Sequence, residues 1–381
     1  MKIESMTIFK SLRKWFLRKT SSSGVRRIPS IFGALASDIG VGRDDNQDRT
    51  AIVRFYDYHG APYTLVLISD GMGGMKDGGI CAATTMAAFL ASFLTRSKQE
   101  GKVSEWLTRA ALDANETVFN EYLGRGGATL SVLYLNEEGS GGILHIGDTR
   151  VYGFDGESLI QLTVDDTIAG QLGDKVESLK NRNELLQFIG MGQDLDPHYL
   201  GFVPSGLKMF ILTTDGVHFL DKEVLRDLVA NSEDVGVCVK RLVDVAKWCG
   251  SKDNCSSVAI SIEPLASIVA EEVDINLCEV WDSFGDLQTH LIPMVSGELN
   301  KARSFSIDKS VGLKKWLKSA DKISPKNKKN LAGAKEDSYV VVSELDGVHE
   351  ETLLIKQVDN ESSKPKDKKE PQLKISFPSK E

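Results

Sequence analysis

Five aspartates stand where an apolar run meets a turn. G-R-D-D-N-Q-D ends at Asp48, V-L-I-S-D-G-M-G-G surrounds Asp70 and L-H-I-G-D-T-R surrounds Asp148. F-I-L-T-T-D-G surrounds Asp215, and K-D-N-C-S surrounds Asp253. Carboxylates gathered at one end of a sheet repel and raise one another's pKa unless a cation compensates. With oxygen donors and no paired His or Cys, the cation that fits is a hard one, Mg²⁺ or Mn²⁺. A lone Asp-Gly is ordinarily a plain turn. Five such aspartates in ordered contexts argue instead for a metal centre.

The elements that must carry these residues are short apolar strands. Periodicity and turn signals predict strands near 33–38, 50–57, 63–69, 128–135, 142–147, 150–154, 208–214 and 256–262. Most are joined by short connections, which favours antiparallel pairing. Helices are predicted over 78–96, rich in Ala and Met, and over 104–122. In the second, Trp106, Leu107, Ala110, Ala114, Val118 and Phe119 share one face. Two more are expected near 222–230 and 233–248. Sheet on sheet with helices outside is the layering these elements imply, an α+β fold.

In their order along the chain these contexts resemble the metal-dependent protein phosphatase 2C family, and its bacterial members most. Ser37-Asp38-Ile39-Gly40 with Arg43 and Asn46-Gln47-Asp48 is similar to the family's opening motif, and Asp70-Gly71-Met72-Gly73-Gly74 to its central one. Gly127-Ala128-Thr129, His145 to Tyr152, Leu162 to Asp166, Thr214 to Val217 and Asp253 to Ser256 complete the series. The resemblance runs from about residue 33 to 263 and implies a four-layer αββα sandwich of two antiparallel sheets flanked by helices. It also implies a protein-serine/threonine phosphatase with two Mn²⁺ or Mg²⁺ ions. In that scheme Asp70 bridges the ions, Asp215 and Asp253 complete the first site, and Asp48 and the Gly71 carbonyl serve the second. Asp148, again with Asp215, matches a third, weaker site. Arg43 takes the place of a phosphate clamp, a role suited to a guanidinium that holds two oxygens side by side.

Departures from the family pattern concern the surroundings. Gln47 stands where many relatives have Glu. Met72 stands where eukaryotic relatives have a His, and a thioether has no proton to give. Asp166 replaces a common His, and Leu185 to Gly190 is altered where relatives hold flap and substrate contacts. His145 reads as a core histidine, since it lacks partner ligands. Thr129 reads as an ordinary strand former. Gly73 and Gly74 suggest close backbone packing, because no Walker Lys-Ser/Thr follows. Two other functions remain open at this point: a phosphatase-like scaffold, which loss of Asp70, Asp215 or Asp253 would favour, and a phosphatase of small phosphomonoesters.

The chain has 381 residues, 41% of them hydrophobic, enough for one large domain with extensions. A net charge of −8 gives no basic footprint for nucleic acid. Five scattered cysteines without a C-x-x-C pair, and no stretch read as membrane-spanning, suggest a cytoplasmic protein. Four segments are expected: a basic amphipathic arm over 1–30, the catalytic domain over 31–264, a short partly ordered extension over 265–300, and a Lys-rich, mostly disordered tail over 301–381. The expected partners are a phosphoprotein substrate and a counteracting Ser/Thr kinase. The arm, with Ile8, Phe9, Leu12, Trp15 and Phe16 at helical spacing, suggests a docking helix, a frayed solvated arm or weak contact with an anionic membrane surface. Apolar islands in the tail, Ser338 to Val342 and Leu353 to Ile355, suggest partner recruitment.

Overall fold

Strands buried on both faces carry nearly unbroken apolar runs, and both sheets of this protein are built on such strands. The structure, a computed structural model, describes residues 3–72, 77–136, 140–172, 182–202, 206–262 and 274–291. The chain begins with α1 (Ile3–Phe16), β1 (Ser23–Ile28), β2 (Gly33–Asp38), β3 (Arg49–Tyr56) and β4 (Pro62–Ser69). Next come α2 (Gly78–Arg96), α3 (Val103–Tyr122), β5 (Leu130–Asn136), β6 (Gly141–Ile146), β7 (Arg150–Phe154) and β8 (Leu159–Gln161). Then follow α4 (Ile168–Leu172), β9 (His198–Phe202), β10 (Met209–Thr213), α5 (Asp215–His218), α6 (Lys222–Ala230) and α7 (Val235–Trp248). The last strands are β11 (Cys255–Ser261), β12 (Leu277–Asp282) and β13 (Gly285–His290).

One sheet has the order β1-β2-β11-β10-β7-β8 and the other β13-β12-β3-β4-β5-β6-β9, with every neighbouring pair antiparallel. Alternate residues of each central strand face different apolar layers, as the two-residue period requires. In β4, Leu65 and Leu67 point to the helices while Val66 and Ile68 enter the space between the sheets. In β10, Ile211 points to α6 and α7 while Phe210 and Leu212 meet the other sheet. Three apolar layers thus separate four layers of structure, and the αββα order expected from the sequence is the one observed.

α2 is apolar almost all round and is buried from Gly78 to Leu94, with Ile80 as the exposed exception. Contrary to the sequence expectation, it has the length and hydropathy of a membrane-crossing helix. Its apolar surface is instead covered by sheet on one side and by α1 and α3 on the others. Residues 3–28, set apart in the sequence as an arm, form α1 and the edge strand β1. Phe9, Leu12 and Phe16 of α1 are buried against α2, each worth roughly 1.5–3 kcal/mol when fully removed from water. In the 265–300 extension, β12 and β13 continue the second sheet beyond β3. The tail and the Gly73-Gly74 pair lie outside the described residues.

Candidate metal centre and phosphate site

Each of the five aspartates sits at the same end of the sandwich, one or two residues from a strand terminus. Asp48 precedes β3 and Asp70 follows β4, whose termini pair as Arg49 with Ser69. Asp148 follows β6, Asp215 follows β10 at the start of α5, and Asp253 precedes β11. The antiparallel register makes this inevitable once the turns are placed there, because neighbouring strands begin and end together.

The turn at Asp70 is held by main chain and a hydroxyl. Its N–H donates to Thr129 Oγ1 at 2.9 Å, and its carbonyl accepts from the Thr129 N–H at 2.9 Å. Thr129, expected to be a plain strand former, therefore brackets Asp70. Gly71 must lack a side chain, since a Cβ there would lie 2.2 Å from the Gly78 carbonyl oxygen. The loop that ends at Asp48 is organised by Asn254, whose Oδ1 accepts from the Gln47 N–H at 2.8 Å. The Asn254 amide donates to the carbonyls of Ile39 and Asp45. Asp48 Oδ2 accepts from Thr214 Oγ1 at 3.0 Å, while Oδ1 is buried with no hydrogen-bond partner.

Electrostatics show that these carboxylates share one site. Desolvation, then the charges of Asp48, Asp215, Asp148 and Asp253, push Asp70 well above the usual carboxylate range. Desolvation raises Asp48 to about 7, with Asp215 and Asp253 adding to it. Asp148 is also raised to about 7, by desolvation and then by Asp215 and Asp165. Asp215 is raised by desolvation and then by Asp253, and its carboxyl is within hydrogen-bonding reach of Asp70. Arg43 donates to Asp253 Oδ2 at 2.7 Å, and the charges of Asp253, Asp70 and Asp215 strengthen its hold on its proton. The guanidinium thus lies over the acidic cluster.

Among the described residues, no group of three His, Cys, Asp or Glu side chains is drawn tight enough to close on one ion. The cluster is gathered but spread, as mutually repelling carboxylates are. What it offers fits a hard divalent cation: oxygen donors throughout, strongly disfavoured negative charge, and the unpartnered Oδ1 of Asp48.

No family model matches the chain. The protein phosphatase PhpP of Streptococcus pneumoniae is 26% identical over 243 residues, spanning 60% of this chain and 96% of that protein. The serine/threonine protein phosphatase PstP of Mycobacterium tuberculosis is 25% identical over 280 residues, 70% of this chain and 48% of that protein. Among solved structures, the Staphylococcus aureus serine/threonine phosphatase Stp1 superposes with a TM-score of 0.54 at 21% identity, over 61% of this chain and 95% of that one. The structural match carries the fold, and the ordered aspartate motifs with the sequence relatives carry the rest. Together they support a bacterial phosphatase of the 2C type.

Several polar residues that organise the phosphatase site were not singled out by sequence reasoning. Asn254 and Thr214 lie beside Asp253 and Asp215 in the quoted motifs, and a polar neighbour at a strand end was the available signal. Thr214 also accepts from the Ser256 N–H at 3.1 Å, joining β11 to the Asp48 carboxylate. Asp166 accepts from the Gly147 N–H at 2.9 Å and from His198 Nε2 at 2.8 Å, so it fixes the turn before Asp148. His145 is a satisfied core residue: Nδ1 meets Ser131 Oγ at 2.9 Å, Nε2 meets the Val164 carbonyl at 3.0 Å, and burial lowers its pKa.

Proposed function

We propose that this phosphatase hydrolyses phosphoserine and phosphothreonine in proteins at a binuclear Mn²⁺ or Mg²⁺ centre. The carrying observation is the delivery of five carboxylates to one end of both sheets with Arg43 over them. Asp70 would be shared by both ions, Asp215 and Asp253 would belong to the first, Asp48 and the Gly71 carbonyl to the second, and Asp148 with Asp215 to a weaker third. When bound, such a pair supplies the nucleophile and the charge neutralisation of an in-line displacement at phosphorus. Thr129 and Thr214 hold Asp70 and Asp48 in orientation, and Asn254 holds the loop behind Asp48. Arg43 exchanges its bond to Asp253 for two oxygens of the substrate phosphate, a geometry its planar fork allows. Met72 gives no proton to the leaving alkoxide.

All five carboxylates are present, which favours an enzyme over a scaffold. The reading includes a counteracting Ser/Thr kinase and a cytoplasmic setting, the latter resting on the unpatterned cysteines. Membrane-surface contact by α1 would have to use its basic face alone, since Phe9, Leu12 and Phe16 are committed to the interior. Recruitment by the tail is kept as a proposal resting on its apolar islands. The test is hydrolysis of a phosphopeptide panel by purified protein with and without Mn²⁺ or Mg²⁺. Metal-dependent turnover with a preference for phosphopeptides over small aryl phosphates is expected, and metal-independent turnover rejects the reading.

A further inference from the structure

Arg49 opens β3 one residue after Asp48, and its guanidinium donates to three main-chain carbonyls. Nε reaches Phe16 at 2.8 Å, and Nη1 reaches Asn46 and Asp48 at 2.7 Å each. Phe16 is the last residue of α1, where terminal carbonyls lack helical partners and the helix dipole is negative. A cation there is favourable, and here it ties that helix end to the turn that aims Asp48. Burial works against this charge, and nearby carboxylates including Asp45, Asp48 and Asp282 offset that in part.

The same place gathers the other end of the chain. Arg18 donates to the Trp15 carbonyl at 2.9 Å, stacks on the Trp15 ring 3.5 Å from its centre, and pairs with Asp282 at 2.6 Å. Asp282 Oδ1 also accepts from the N–H groups of Phe284 and Gly285 at 2.8 Å each, which sets the turn between β12 and β13. Gly24 of β1 lies against that turn so closely that a Cβ would be 2.6 Å from the Phe284 ring. The motifs that carry the family resemblance run from Ser37 to Ser256, so α1 and the β12–β13 pair lie outside them. Both outlying pieces nevertheless converge behind one metal-facing aspartate.

We propose that α1 and the β12–β13 pair form a clasp that positions Asp48 for its ion, with Arg49 as the positioning residue. The proposal rests on the metal reading above. Neighbours that orient a ligand commonly set metal affinity by a large factor without touching the ion.

The experiment is Mn²⁺ titration by calorimetry of the full-length protein, stripped of metal, as wild type and as Arg49→Met, Arg49→Lys, Trp15→Ala and Asp48→Ala. Hydrogen exchange of the segment 44–48 and phosphopeptide KM at saturating Mn²⁺ are measured beside it. Arg49→Met is expected to weaken Mn²⁺ binding about 10–100-fold and to speed exchange over 44–48, with KM unchanged once Mn²⁺ saturates. Arg49→Lys is expected to recover part of the loss, and Trp15→Ala to shift affinity in the same direction by less. If Arg49→Met does not fold, Arg49→Lys and Trp15→Ala carry the test. Folded Arg49 and Trp15 variants with wild-type Mn²⁺ affinity, beside an Asp48→Ala protein that has lost a site, overturn the clasp and leave the metal reading standing. A wild type that binds no Mn²⁺ overturns both.

Discussion

Asp70 and Asp48 face the same site but are held there by different means. Asp70 leaves a central strand directly, and its backbone is bracketed by Thr129, which immediately precedes the neighbouring strand β5. Asp48 ends the loop that runs from β2 to β3, whose course depends on side chains: Asn254, Asn46, Thr214 and Arg49. The first position is a consequence of sheet register. The second is assembled from long-range polar contacts, and so it can be adjusted from elsewhere in the molecule without disturbing the sheets.

The comparison breaks most severely at Asp70, the proposed shared ligand. Asp70→Ala is expected to reduce metal-dependent turnover by at least about 10³-fold, since it removes charge stabilisation at the centre of the site. Single-turnover kinetics on a phosphopeptide measure this, and a surviving rate near wild type would remove Asp70 from the chemistry. Next is Arg43→Ala. Loss of a charged hydrogen-bond donor worth about 1.5–3 kcal/mol should raise phosphopeptide KM by roughly one to two orders of magnitude. Mn²⁺ affinity should hold or rise slightly, because Asp253 is released from its ion pair. An unaltered KM would take the phosphate clamp away from Arg43.

A paired test sharpens the contrast between strand and loop. Asn254→Ala strips three bonds from the loop, whereas Thr129→Val leaves the Asp70 carbonyl bond in place. Asn254→Ala should therefore weaken Mn²⁺ binding by about 10-fold or more, with a smaller change for Thr129→Val. Equal losses in calorimetry would erase the distinction.

The smallest effect expected is on stability against pH. Asp48 and Asp148 hold their protons up to about 7 in the metal-free fold, against an ordinary value of 3.8. The folded state binds those protons more tightly than the unfolded chain, so this contribution is complete below about pH 4 and is lost as pH rises through about 7. Metal-free protein should melt lower at pH 8 than at pH 5, by about 2–4 °C for each kcal/mol lost, and added Mn²⁺ should reverse the trend. Differential scanning fluorimetry decides it. A melting temperature that rises with pH in chelator would contradict the repelling cluster.

The gathering of the five aspartates was readable because each is announced by a strand end and a turn. The two-sided strands and the helices α2 and α3 were readable for a similar reason, since their apolar patterns are local. β1 and the β12–β13 pair were not foreseen as strands. β1 reads S-G-V-R-R-I, half-exposed and charged, and its place comes from pairing with β2 and from distant acids. Arg26 pairs with Asp286 and Arg27 with Asp234, while Arg13 of α1 pairs with Glu121 and Arg18, just past α1, with Asp282. Four of the cations in what looks in sequence like a basic arm thus have partners more than a hundred residues away. No local pattern encodes such pairing. Asn254 was hidden differently: its role depends on a loop brought to it from the other end of the domain.

The contact between Arg18 and Asp282 joins positions 264 residues apart. During synthesis α1 leaves the ribosome long before β12 and β13, so this lock is absent until nearly all of the described chain has been made. α2 can take up its cover from α1 early, whereas closure at the hairpin must come late, and pairings so distant in sequence are the slow ones in folding. A nascent chain would therefore hold its catalytic sheets before it holds Asp48 firmly, so that full metal affinity would be among the last properties acquired.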